Sequence, residues 1–205
     1  MTAPGNTTDE NLLRQMTAGD EGAFSEIYRR HQPGVFRFAL HMSGSVSIAE
    51  DVTQETFMML IRESHKYQPS RGSLSSFLFG VARNHVMRNL NRDHFHVPID
   101  NVLENMLGSS VITASLDLME NINREQALEC LQKAILSLPH HYREVVILCE
   151  LNEKSYSEAA AILSCSVGTI RSRLNRARGM LVQKLRRNRP DLSDFEEKET
   201  GRCYI

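Results

Sequence analysis

Residues 155–178 read SYSEAAAILSCSVGTIRSRLNRAR, and the way this stretch divides decides the fold. Ser155 followed three positions on by Glu158 is the capping-box arrangement, in which hydroxyl and carboxylate each satisfy an orphan N–H at a helix start. The apolar run AAAIL follows, then the small residues Ser164, Cys165 and Ser166, then a second helical pattern beginning at Val167. There Val167, Ile170, Leu174, Ala177 and Leu181 recur at three- and four-residue steps and form a stripe suited to burial. Thr169, Ser172, Asn175 and Arg176 fall largely on the opposite face, flanked by Arg171, Arg173 and Arg178. Two short helices joined by a three- to four-residue turn form the helix-turn-helix unit, whose second helix enters the DNA major groove. Hydroxyl, amide and guanidinium groups read base edges, with arginine able to bond both O6 and N7 of guanine, while flanking arginines neutralise phosphate. The competing reading is a surface helix carrying arginine for solubility. Against it, the capping box, the turn of small residues and the absence of acids from Ala159 to Pro190 coincide in register.

Around this stretch the charge is unevenly distributed. The chain has 205 residues, 41% of them apolar, and a net charge of −1, enough for one sizeable core or two small ones. Such a charge argues against a polycation that coats nucleic acid or anionic membrane indiscriminately. Yet the 25 acids leave two long gaps, Ser64 to Arg92 and Ala159 to Pro190, and both gaps are basic. Between them, Asp93 to Asn123 carries Asp93, Asp100, Glu104, Asp117 and Glu120 and no Lys or Arg, and the tail DLSDFEEKETGRCYI is again acidic. One block of like charge is ordinarily a solvated face; two acid-free blocks weaken that explanation. No basic, apolar leader opens the chain and no apolar run approaches the roughly 20 residues of a bilayer span, so a cytoplasmic protein with no membrane insertion is expected.

Helix-start signals recur at Thr7 (TTDE) and Ser47 (SIAE). Phe24, Ile27 and Tyr28, then Val35, Phe38 and Ala39, share helical faces, with Pro33 and Gly34 marking a break or kink between them. Val52, Thr56, Met59 and Leu60 keep the period from Ala49. YQPSRGSLSS at 67–76 is turn chemistry, and Leu78, Ala82, Val86 and Leu90 line up on a helix from Phe77 to about Arg92. With no alternating strand pattern, the fold class is all-α. Periodicity fades between Asp93 and Asn123, where Pro98, Gly108, Ser109 and Ser110 collect, which predicts a flexible acidic linker. A second helical domain starts near Arg124, with Pro139 opening a further helix.

The stretch LPHHYREVVILCELNEKSYSEAAAILSCSVGTIRSRLNRARGMLVQKLRR, 138–187, resembles region 4 of the extracytoplasmic-function (ECF, group 4) sigma factors of the sigma-70 family. AGDEGAFSEIYRRH, AEDVTQETFMMLIRES and RGSLSSFLFGVARNHVMRNLNR resemble successive parts of region 2, in the expected order. The resemblance implies two small helical domains, a region 2 helical bundle at 8–92 and a region 4 helix-turn-helix at 124–189, joined by the flexible acidic linker at 93–123 and followed by an acidic tail at 190–205. It implies a chain that binds core RNA polymerase, directs it to promoters and helps melt the minus-10 region. On duplex minus-35 DNA, Arg171, Ser172, Asn175 and Arg176 match the family's base contacts, with Thr169 beside them and Arg173 and Arg178 assigned to phosphate. On single-stranded minus-10 DNA, the loop with Tyr67, Arg71 and Ser73 would hold a flipped base while Arg83, Asn84, Arg88 and Arg92 track phosphates. Asp51, Gln54 and Glu55 would meet the polymerase clamp, and an anti-sigma factor is a further implied partner. The family commonly has Trp where Phe77 stands; Phe preserves the packing role.

Two rivals remain. An enzyme would need chemistry that is missing: there is no HExxH, P-loop, GxSxG or paired-carboxylate arrangement, and His140 and His141 are neighbours that point apart on a helix. Cys130, Cys149, Cys165 and Cys203 show no CxxC spacing, so free thiols and no metal or cofactor are expected. The other rival is a stand-alone two-domain helix-turn-helix regulator that binds duplex DNA without polymerase.

Overall fold

A computed structural model describes residues 7–92 and 117–188. Helices α1 (Asp9–Thr17), α2 (Glu21–Ser43), α3 (Val46–Glu63) and α4 (Leu74–Arg92) form the N-terminal half, with 3₁₀ turns at Ser64–Lys66 and Pro69–Arg71. The C-terminal half comprises α5 (Asp117–Leu136), α6 (His140–Val146) running on into a π-helical turn (Ile147–Leu151), α7 (Tyr156–Ile162) and α8 (Val167–Asn188). No strand occurs among the described residues, so the all-α expectation holds. The expected acidic linker and tail, with Cys203, lie largely or wholly outside these residues.

Three details differ from the sequence reading. The cap of α1 is Thr8, accepting from the Asn11 N–H at 3.4 Å, rather than Thr7. This register puts Asp9 and Glu10 in the first turn, where they complement the helix dipole. Asp9 there meets Arg30 (3.2 Å) and His31 (2.8 Å) of α2. The cap of α3 is Ser45 rather than Ser47, because Gly44 ends α2 in the left-handed region (φ 73°) and the chain turns at once into extended backbone. Pro33 and Gly34 do not interrupt α2, which is continuous through them. Gly34 faces Phe79, where a Cβ would meet the ring at an ordinary contact distance of 3.5 Å.

Ile27, Phe38, Met42, Leu60, Leu78 and Val86 are buried in the N-terminal half, and Leu138, Ile147, Leu148, Ile170 and Leu174 in the C-terminal half. Side chains of this kind contribute roughly 1.5–3 kcal/mol each on full burial. They form one continuous cluster across both halves. Polar clasps join the halves as well. Arg143 donates to the Met42 carbonyl of α2 (2.5 Å) and to the carbonyls of Leu136 and Leu138. Lys154 donates to the Ser75 hydroxyl (2.7 Å) and lies 5.0 Å from the Phe79 ring centroid. Arg83 of α4 bonds Glu144 of α6, a carboxylate only 1% exposed.

Candidate nucleic-acid interfaces

The capping box opens α7: the Ser155 N–H donates to Glu158 Oε2 (3.0 Å) and the Glu158 N–H donates to Ser155 Oγ (3.2 Å). The Ser155 hydroxyl also holds the Glu158 carboxyl below its ordinary range. A turn follows in which Ser164 takes a positive φ of 51°, and Ser166 receives the Thr169 N–H at 3.1 Å to start α8. Ile170, Leu174 and Ala177 are fully buried, as the stripe requires, whereas Val167 at its start is 38% exposed and Leu181 half-buried. The second helix is not short: it runs for 22 residues.

Burial of that stripe turns Arg171, Ser172, Asn175 and Arg176 outward, all exposed. Thr169 and Arg173 sit half-buried at the margins. The Thr169 hydroxyl is 2.9 Å from Ser166 Oγ, and the Ser172 hydroxyl donates to the Thr169 carbonyl (3.0 Å). Each hydroxyl oxygen retains lone pairs for a further donor. Arg178 reaches back to Glu150 of the π-helical turn at 2.5 Å, and that bond raises the affinity of its guanidinium for the proton.

The second basic block builds a cleft of about 470 Å³ lined by Tyr67, Arg71, Ser73, Phe77, Arg83 and Asn84, among others. Gly72 (φ 140°) permits the turn into α4, and Ser73 caps it by accepting from the Ser76 N–H at 3.2 Å. Tyr67 is buried with its ring edge-on to Phe77 at 5.7 Å, and burial pushes its phenol pKa up. Asn84 and Arg88 are exposed one turn apart on α4; the Arg92 side chain lies outside the described residues. Arg83 points instead to Glu144, at 2.8 and 3.4 Å. The far wall of the cleft comes from the other half: Ala161 and Ile162 of α7 and Ser164 of the turn.

Asp51, Gln54 and Glu55 are exposed on α3. Gln54 also lines an apolar groove between α2 and α3 with Phe24, Tyr28, Phe36, Phe57 and Ile61. Sequence reasoning missed this groove; Tyr28 and Ile61, 41% and 48% exposed, are its outward signal. It also missed Glu144 and Glu150, which stand 61 and 28 residues from the arginines they hold. Among the described residues no cluster of three or more His, Cys, Asp or Glu could hold a metal, and no helix is long and apolar enough to cross a membrane.

Both halves match known families. Residues 27–95 match sigma-70 region 2, and residues 128–181 match sigma-70 region 4. The ECF RNA polymerase sigma factor SigE of Mycolicibacterium smegmatis is 33% identical over 167 residues, which cover 80% of this chain and 63% of that protein. The ECF RNA polymerase sigma factor EcfG of Rhodopseudomonas palustris is 33% identical over 173 residues, covering 84% of this chain and 90% of the relative. Among solved structures, the sigma factor RpoE of Bartonella quintana, in complex with the anti-sigma factor NepR, superimposes with a TM-score of 0.60 at 27% identity, over 81% of this chain and 98% of that one.

Proposed function

Because this chain belongs to the ECF RNA polymerase sigma factors, we propose that it binds core RNA polymerase, carries it to specific promoters and helps open the minus-10 region. One observation carries the reading. A single chain builds two surfaces of different design from acid-free stretches of its sequence: an outward stripe on α8 for a duplex groove, and a loop-and-helix cleft with a buried aromatic floor for a splayed base. A stand-alone helix-turn-helix regulator has no need of the second.

Residues 8–92 act as region 2, 93–123 as the linker, 124–189 as region 4 and 190–205 as an acidic tail. Region 4 reads minus-35 DNA through Arg171, Ser172, Asn175 and Arg176, with Thr169, Arg173 and Arg178 at the margins. Exposure of the first four after burial of Ile170, Leu174 and Ala177 supports that assignment. In region 2, Tyr67, Arg71 and Ser73 surround the captured base, and Arg83, Asn84, Arg88 and Arg92 follow the strand. Asp51, Gln54 and Glu55 meet the polymerase clamp beside the apolar groove. The polymerase carries out the chemistry with its own magnesium, so this chain acts without catalysis or cofactor and works in the cytoplasm. An anti-sigma factor is its regulatory partner, by analogy with the complexed neighbour.

Abortive RNA synthesis tests the proposal. Core polymerase, the purified chain and the promoter upstream of its own gene are mixed, with both duplex and pre-melted templates. RNA from the duplex only when the chain is present is the expected result. No polymerase binding and no RNA across a panel of promoters, with specific duplex binding by the chain alone, would mean a free-standing regulator.

A further inference from the structure

Arg178 is held in place before any DNA arrives. Its Nη2 donates to Glu150 Oε1 at 2.5 Å, and the hydroxyl of Tyr156, the first residue of α7, bonds the same guanidinium. Glu150 stands on rigid ground. It belongs to the π-helical turn Ile147–Leu151, where the Asn152 N–H donates to the Ile147 carbonyl (3.0 Å) and the side chains of Ile147 and Leu148 are fully buried. Bonds that span five residues widen a helix, so Glu150 leaves the angular position that a plain continuation of α6 would give it. Glu153, at φ 52°, then turns the chain towards α7. The guanidinium and its carboxylate nevertheless remain 54% and 41% exposed. An exposed pair of this kind adds little to stability, and both groups are within reach of a ligand from solvent.

We propose that Glu150 is a positioning residue for promoter recognition: it aims Arg178 at the DNA backbone beside the minus-35 groove, and so raises the preference of α8 for a duplex seated in register over one met at random. The proposal rests on the reading of α8 given above. A guanidinium carries five N–H donors in a rigid fork, and one carboxylate oxygen with one hydroxyl leaves the rest of that fork for a phosphate. Once Arg171, Ser172 and Arg176 are on their base edges, the phosphate beside the groove has a fixed place. An arginine already ordered loses less freedom in meeting it. A polyanion met out of register offers no such fixed phosphate and must displace the carboxylate to gain the fork. Positioning therefore acts in opposite directions on the two kinds of DNA, whereas plain repulsion between Glu150 and phosphate would weaken both.

The test reconstitutes the full chain with core polymerase and measures competition binding to two duplexes: the promoter upstream of its own gene, and the same promoter with a scrambled minus-35 element. Glu150→Gln keeps the shape of the side chain and removes its charge. Glu153→Gln removes a charge from an exposed position nearby. Glu150→Gln should weaken binding of the cognate promoter roughly threefold to tenfold, the range expected when one long side chain must be ordered afresh, and leave the scrambled duplex bound as tightly or more so. Glu153→Gln should change neither. In an Arg178→Ala background, Glu150→Gln should have no further effect. A general loosening of the helix-turn-helix would instead persist without the arginine, weaken both duplexes and lower the midpoint of thermal unfolding. Cognate binding that Glu150→Gln leaves unchanged or tightens, equal weakening of both duplexes, an equal shift in Glu153→Gln, or a loss that survives in Arg178→Ala each overturns the positioning role while the reading of α8 stands. A parent holoenzyme that binds both duplexes alike overturns the minus-35 reading of α8 itself, and positioning with it.

Discussion

Arg29 and Arg30 both reach Glu26 on the outer face of α2, at 2.7–2.9 Å, and Arg30 goes on to Asp9 of α1. The hydrogen bond from Arg29, followed by that from Arg30, draws the Glu26 carboxyl down to about 2. A carboxyl whose pKa is lower in the folded chain stabilises it above the ordinary carboxylate range, and that contribution fades as the pH falls from about 4.5 towards 2. Carboxyl-carbon NMR should therefore find Glu26 titrating near the bottom of that window, and Arg29→Ala should move its midpoint upward. On α8, side chains of the same chemistry should behave differently according to their neighbours. Arg176 faces outward, so Arg176→Ala should cost about 1–3 kcal/mol on the cognate minus-35 element and relax preference at one base pair. Arg178 already has Glu150 as partner, so Arg178→Ala should weaken holoenzyme binding more uniformly across promoter variants. Filter binding on a set of single-base promoter changes separates the two patterns.

Helix ends and turns carry the architecture. Gly44 closes α2 with φ 73°, and a Cβ there would stand 3.0 Å from Leu136 Cδ1 of α5. Gly44→Ala combines a left-handed backbone penalty of roughly 1–2 kcal/mol with a shift forced on Leu136, and urea unfolding should register the sum. Much of this level was legible in the sequence. The three- and four-residue spacing of Ile170, Leu174 and Ala177 announced their burial, and Ser155 with Glu158 marked the start of α7 to the residue. Caps at Thr7 and Ser47 slid by one and two positions because several serines and threonines competed there, and a tight glycine turn or a salt bridge from a distant helix decided among them. Pro33 and Gly34 predict a break or kink because proline lacks the N–H that a helix interior uses; of the two, the break is absent, since α2 runs on through both residues. The outward face of α8 followed from its buried one. No periodicity links Arg83 to Glu144, or Tyr28 to Ile61 across two helices, so neither the clasp nor the apolar groove could be read from spacing.

At the scale of the whole molecule, two sequence domains share one continuous core, with Val145, Ile147 and Leu148 in the same cluster as Phe38 and Leu78. Such coupling predicts a single calorimetric unfolding transition for the parent chain, whereas two resolved transitions would mean that each half melts by itself. The match of residues 27–95 and 128–181 to separate sigma-70 regions fits a molecule whose halves have independent duties yet rest against each other. The carboxylates of Glu144 and Glu150 have a last consequence, which concerns competing polyanions. Ribosomal and messenger RNA offer an immense excess of phosphate to any bare guanidinium. An arginine already in the grip of a carboxylate gives passing RNA little, because the newcomer must evict an anion rather than displace water. One arginine of each basic surface is paired in this way, so these two should add little to the binding of casual polyanions.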